Sequence, residues 1–430
     1  MTTLESAYAA TLRAFRPFIE AAPLGGKLGR GLRGRRATVD RFVAWSGRER
    51  RPDAPLIWLH APSVGEALMA QATVAALRAE RADLQIAFTF FSPSAERVAA
   101  RVGADVADYL PWDVPAAVCE TLHALRPAVL AFVRTEVWPV LSREAARGGV
   151  RLAMINAVLP AGSSRLGGVV RRLLAPAYAR LDAVGAVAES DARRFGDLGV
   201  PAARVRVTGD ARFDQVWLRL REDRGGSALA ERIAATGPVV VAGSTWPADE
   251  ARLLPAFAAA RARRPLRLVI APHEPTPRHL AALDRRLERE HLRHTRLSAW
   301  EAGTTDTAAD VIVVDRVGLL AELYAAGVLA YVGGGFGTDG LHSVIEPAAF
   351  ARPVLFGPRV GGAGEAERLV AAGGAFRVGN ERELAERLLA LSTSDAERTR
   401  AGEAARGFVQ ANLGAAKRNA AIVLELIDHG

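Results

Sequence analysis

The segment from Val328 to Pro358 carries the densest set of groups able to do chemistry. An apolar run ends in Gly333-Gly334-Gly335-Phe336-Gly337, and Ser343 and Glu346 follow within His342-Ser343-Val344-Ile345-Glu346-Pro347. A strand, a glycine-rich turn and a helix start offer free backbone N–H groups and the positive end of a helix dipole, both of which favour phosphate. Glycine lets the backbone approach such a ligand without a Cβ in the way. Glu346 could accept hydrogen bonds from ribose hydroxyls, as a carboxylate does in dinucleotide folds. An ordinary tight βα connection has the same outline, because the run is not a strict GxGxxG.

A second strand-turn-helix lies at Leu56–Glu66 (LIWLHAPSVGE). Ser63 and Glu66 stand at S-x-x-E spacing, which is a capping box. The alternative is that Glu66 is a general base, with Gly65 leaving room for a substrate; the nearby helix N-terminus then requires partial burial to keep the carboxylate basic. In Phe132–Pro139, Glu136 either orients a sugar hydroxyl or pairs with an arginine to hold the loop. Asn156 suits a hydrogen-bonded turn or a substrate contact. Arg212, in Thr208–Asp214, suits an anionic substrate or plain solvation. Gly243-Ser244-Thr245 follows an apolar strand and could bind phosphate through hydroxyls and amides, with Pro247 at a first-turn helix position. His273 closes another strand as a nucleotide or phosphate contact or as a satisfied loop histidine.

The elements that must position these groups alternate. Strands are expected at Leu56–His60, Gln85–Phe90, Ala128–Val133, Leu152–Ile155, Ala183–Val187 and Val205–Thr208, then at Val239–Ala242, Leu266–Ile270, Val311–Val314, Leu329–Val332 and Pro353–Phe356, with helical patterns between them such as Val64–Glu80. Strand-helix alternation implies βαβ units around buried parallel sheets. The polar stretch 221–227 (REDRGGS) reads as a linker. The expected division is therefore an amphipathic and basic segment at 1–50, a Rossmann-like domain at 51–222 and a second at 228–430, two doubly wound domains facing across a cleft.

The chain has 430 residues, half of them hydrophobic, with a net charge of +9. Length predicts two domains. One cysteine, Cys119, excludes an intramolecular disulfide framework and a structural cysteine zinc site. No HExxH, paired-cysteine, convincing DxD or Walker pattern is present, so neither a metal nor nucleotide hydrolysis is expected. The positive charge predicts an anionic partner. Leu4–Ala22 is amphipathic but too polar to span a bilayer, and nine basic residues lie between Lys27 and Arg51. Such a pair suits peripheral contact with an anionic membrane surface, or a packed helix followed by a solvated loop. Basic residues are not interleaved with aromatics as in a nucleic-acid module, so no nucleic acid partner is expected.

Eight segments in order resemble the 3-deoxy-D-manno-octulosonic acid (Kdo) transferases, glycosyltransferases of the GT-B fold: HAPSVGE, TEVWP, Asn156, TGDARFD, AGST, VGGGF, HSVIEP and PVLFGP, spanning roughly residues 55 to 375. The resemblance implies an inverting, metal-independent enzyme that moves Kdo from CMP-Kdo to a lipid A precursor (lipid IVA) in lipopolysaccharide biosynthesis, without a cofactor, peripherally at the cytoplasmic face of the inner membrane. It implies Glu66 as catalytic base. It places His60, Ser63, Gly65, Glu136, Asn156 and Arg212 on the acceptor or sugar side. CMP falls to Gly243, Ser244, Thr245, His273, Gly334, Gly335, Phe336, Ser343 and Glu346. The sequence departs from the family pattern at Arg134, where a glutamate is common, and at Pro272-His273-Glu274, where Pro-Arg-His is common. The alternatives are a GT-B enzyme using a UDP-sugar and a non-catalytic basic membrane-binding protein.

Overall fold

The computed structural model describes residues 3–222, 227–304 and 308–429, so most of the expected linker lies outside the described residues. The chain forms two compact units, Met1–Gln215 with Asn412–Gly430, and Val216–Ala411.

In the first unit seven strands form one parallel sheet: β1 (Leu56–His60), β2 (Gln85–Phe90), β3 (Val106–Tyr109), β4 (Val129–Val133), β5 (Arg151–Ala157), β6 (Ala183–Ala186) and β7 (Val205–Val207). Their order is β3-β2-β1-β4-β5-β6-β7. Every residue of β1 and β4 is buried, as a parallel strand covered on both faces requires. The chain winds outward from β1 to β3, then crosses back to β4 on the other side of β1. That reversal leaves a crevice beyond the carboxyl ends of β1 and β4.

The second unit repeats the plan with β8 (Val239–Thr245), β9 (Arg267–Pro272), β10 (His294–Arg296), β11 (Val311–Val313), β12 (Leu329–Val332), β13 (Val354–Phe356) and β14 (Ala375–Arg377). The order is β10-β11-β9-β8-β12-β13-β14, so the reversal falls between β8 and β12. Both sheets are doubly wound and Rossmann-like, as expected.

The differences from the expected elements have physical causes. The strands β3, β10 and β14 were not anticipated; each lies at a sheet edge and mixes polar with apolar residues, as in His294-Thr295-Arg296. An edge strand needs no apolar run, so composition does not reveal it. The boundary expected at 228–430 is also corrected, because the last helix, Ala415–Asp428, packs on the helix Val64–Glu80 and on β5 of the first unit. Its Ala415, Ala416, Ala420 and Val423 share one core with Ala67 and Ala70. Asp214 anchors its start, accepting from Gly414 N at 2.7 Å and Ala416 N at 3.2 Å.

The segment 1–50 is not a separate appendage but three helices of the first unit, Thr3–Ala21, Gly26–Arg35 and Thr38–Glu49. Ala9, Phe42 and Trp45 belong to its core, and buried Glu5 pairs with Arg180 at 2.7 Å. Nor is the basic cluster a uniformly solvated face. Arg35 is buried with its guanidinium 3.7 Å above the Phe91 ring, Arg41 binds Asp108, and Arg50 donates to Leu125 O at 2.8 Å.

Candidate functional site

The carboxyl end of β1 delivers the loop Ala61-Pro62-Ser63 into the helix Val64–Glu80, and the end of β4 delivers Arg134-Thr135-Glu136 beside it. Ser63 occupies the N-cap position with extended backbone, yet its side chain caps no amide. The Ser63 hydroxyl instead donates to Glu66 Oε2. The other oxygen of Glu66 lies 3.9 Å from Arg134 Nε, and both side chains are partly exposed. Glu66 is thus held by a hydroxyl and a cation while remaining open to solvent. Gly65 is exposed, and a Cβ there would meet nothing within 4 Å. Burial pushes the Glu136 carboxyl up from its ordinary range; nearby Arg165 opposes this and Glu66 reinforces it. Arg134 therefore pairs with Glu66, and the cation facing Glu136 is Arg165.

Three non-glycine residues at strand ends adopt left-handed backbone: Arg134 (φ 80°), Asn156 (φ 50°) and Ser244 (φ 53°). Strain of this kind costs of order 1 kcal/mol and collects where a loop must aim its groups. All three lie at the carboxyl ends of strands, β4, β5 and β8, and of these β4 and β8 flank the switch points.

Several expected acceptor contacts are instead internal supports. His60 is fully buried. Its Nε2 accepts from Trp138 Nε1 at 3.1 Å, since an indole N–H can only donate, so its proton sits on Nδ1, 3.0 Å from Thr89 Oγ1. Burial lowers its pKa to about 3, which keeps it neutral. Asn156 is buried too; its Oδ1 accepts from Ala211 N at 2.7 Å and its amide faces Met69 sulfur. This is the turn role rather than the substrate contact. Arg212 is neutralised by Asp210 at 2.6 Å.

In the second unit the glycines answer to close packing. A Cβ on Gly243 would stand 2.1 Å from the Tyr324 hydroxyl, on Gly333 2.2 Å from Ser244 O, and on Gly335 2.6 Å from Gly357 N. Gly334 has φ 95°. The amides of Gly334 and Phe336 are already taken by the buried carboxylate of Asp249, at 2.8 and 3.2 Å, which corrects their expected role as free phosphate donors. Thr245 is buried against Glu250 at 3.2 Å, and that carboxylate also meets His279 Nε2 at 2.8 Å. What the edge offers outward is Ser244, exposed Ser343 and exposed His273. The His273 ring stacks on His342 at 4.3 Å and tilts against Trp246 at 4.9 Å. Trp246 Nε1 donates to His342 Nε2 at 3.1 Å, and burial, then the neighbouring His273 ring, lowers the His342 pKa. Glu346 lines a narrow space of about 10 Å³ with Arg219, Ala321 and Phe350. Burial raises its pKa and Arg219 opposes the rise.

Sequence reasoning missed Arg134 as the partner of Glu66 and Asp249 as the acid inside the glycine turn. Residue 134 follows a strand and residue 249 lies within the first turn of a helix, so neither has a spacing that announces its partner. Among the described residues no three His, Cys, Asp or Glu side chains converge as a metal-binding group.

Two Rossmann-like units, each a doubly wound parallel sheet with its own switch point, define the GT-B fold class. The fold is shared at a TM-score of 0.61 with the solved UDP-GlcNAc 2-epimerase of Neisseria meningitidis bound to UDP-GlcNAc, at 13% identity, covering 87% of this chain and 100% of that one. The family model described as 3-Deoxy-D-manno-octulosonic-acid transferase (kdotransferase) matches residues 35–215. The 3-deoxy-D-manno-octulosonic acid transferase of Bordetella pertussis is 33% identical over 390 residues, 88% of this chain and 89% of the relative. That of Haemophilus influenzae is 29% identical over 369 residues, 84% and 85% of the two chains. The chain belongs to the Kdo transferase family.

Proposed function

We propose that this glycosyltransferase moves Kdo from CMP-Kdo to a lipid A precursor with inversion, and that Glu66 is its base. The observation that carries the assignment is Glu66 itself: at the switch point of its sheet it caps no helix amide, is held by Ser63 and Arg134, and stays partly exposed. Glu66 takes the proton from a glucosamine hydroxyl of the acceptor as that oxygen forms a bond to the anomeric carbon of Kdo. The bond from that carbon to the CMP phosphate breaks, and CMP leaves with the electron pair.

The second unit supplies the donor site, with Ser244, Ser343 and His273 directed at the nucleotide and phosphate and Glu346 at the ribose. The reaction as written requires neither a metal nor a cofactor, because side-chain and backbone dipoles stabilise the departing phosphate.

The acceptor is a membrane lipid, and the proposed attachment is peripheral, at the cytoplasmic face of the inner membrane. No helix of the described residues is long and apolar enough to cross a membrane. The N-terminal helices display Phe15, Phe18 and Leu28 to solvent at 59%, 73% and 64% exposure, with exposed Lys27 and Arg30 among them. Apolar side chains mixed with cations suit an anionic bilayer surface.

Incubating the purified chain with lipid A precursor and freshly generated CMP-Kdo, with product mass read directly, tests the proposal. A mass increase of one or more Kdo units supports it; turnover of UDP-sugars with CMP-Kdo inert would overturn it.

A further inference from the structure

Asp249 sits on the helix Pro247–Arg261, is wholly buried, and reaches into the glycine turn after β12. Its Oδ2 accepts from Gly334 N at 2.8 Å and from Trp246 N at 3.0 Å. Its Oδ1 accepts from the Tyr331 hydroxyl at 2.9 Å and from Phe336 N at 3.2 Å. One acceptor-only side chain therefore joins the loop after β8 to the loop after β12, the two strands that flank the switch point. The loops also touch directly, since Gly333 N donates to Gly243 O at 2.9 Å and Gly333 has no room for a Cβ against Ser244. Trp246, whose amide Asp249 holds, in turn carries the His342 and His273 rings.

We propose that Asp249 is a positioning residue for donor binding. It fixes both loops in the single arrangement that presents Ser244 and His273 to the nucleotide, and it takes two amides of the glycine turn out of the competition for phosphate. The donor phosphate is therefore held by groups outside that amide pair. The inference rests on the donor assignment of this unit and narrows it.

The isosteric change Asp249→Asn keeps the size but turns one acceptor into an N–H donor facing two donors, leaving buried groups unpaired. In the full-length chain, the CMP dissociation constant by calorimetry and the KM for CMP-Kdo are expected to rise about tenfold or more, while the KM for the acceptor stays unchanged. A merely structural role would lower Tm and the folded fraction without this split. Tyr331→Phe removes one of the donors and is expected to fold, with CMP affinity weakened roughly threefold. A folded Asp249→Asn chain with unaltered CMP affinity overturns the inference. If that chain does not fold, Tyr331→Phe decides: weakened CMP binding supports the inference and unchanged binding overturns it. A wild-type chain that fails to bind CMP overturns the donor assignment itself, and this inference with it.

Discussion

Ser63 and Glu66 occupy capping-box positions, and the tertiary structure gives them different work. Arg134, brought by β4, lies 3.9 Å from one oxygen of the Glu66 carboxylate, and the Ser63 hydroxyl donates to the other oxygen instead of capping an amide. Substituting Glu66→Gln keeps shape and the Ser63 contact but removes the proton acceptor. The turnover number is expected to fall about a thousandfold, with CMP affinity and Tm little changed; near wild-type turnover would return Glu66 to a packing role. Glu346 makes a separable case. Its carboxyl is driven up by burial, and Glu346→Gln should weaken CMP binding roughly tenfold if it accepts from the ribose. An unaltered dissociation constant would remove it from the donor site.

At the scale of elements, buried polar residues hold the strand ends in place, and two of them tie stability to pH in opposite directions. His60, between β1 and the Trp138 loop, has a folded pKa of about 3 against an ordinary 6.5. Below pH 6.5 the unfolded chain takes up a proton that the folded chain refuses. Its contribution is thus present above about pH 6.5 and lost as the pH falls towards 3, a swing on the order of 5 kcal/mol. Asp113 accepts from Val140 N at 3.1 Å and Leu141 N at 2.8 Å, fastening the helix Pro139–Arg147. Burial pushes its pKa up to about 6 from an ordinary 3.8. Its contribution is present below about pH 4 and lost as the pH rises through 6. Acid destabilisation between pH 6.5 and 4.5 should therefore be shallower in His60→Gln than in the wild type, as urea unfolding at the two pH values would measure. Equal acid limbs would mean that His60 is not held neutral by its burial.

At the scale of the whole chain, the charge of +9 and the amphipathic start pointed to a membrane surface, but the fold selects which residues are free to meet one. Deleting residues 1–22 would remove Glu5 and Ala9, which belong to the packed interior, and so would confuse binding with folding. Phe15 and Phe18 are exposed, so the double change Phe15→Ser and Phe18→Ser is the cleaner test. Sedimentation with vesicles containing an anionic phospholipid should show partitioning reduced roughly tenfold or more, with Tm preserved. Raising the salt should weaken the wild-type association as well, because the exposed cations are screened. Partitioning that ignores both changes would place the contact elsewhere on the molecule.

Local pattern alone determined the α/β class, the central strands and the order of motifs. Runs such as Leu56–His60 and Leu329–Val332 are buried on both faces and must be apolar throughout, so composition betrays them. The same patterning put functional groups at strand ends, because a parallel sheet opens only there. Partner choice was decided by tertiary structure. Which cation faces Glu66, which acid fills the glycine turn, whether His60 and Asn156 point inward, and which sheet the last helix covers all depend on residues far apart in sequence. Spacing along a helix or strand fixes the face on which a side chain lies, and only the packing of one element on another fixes what it meets.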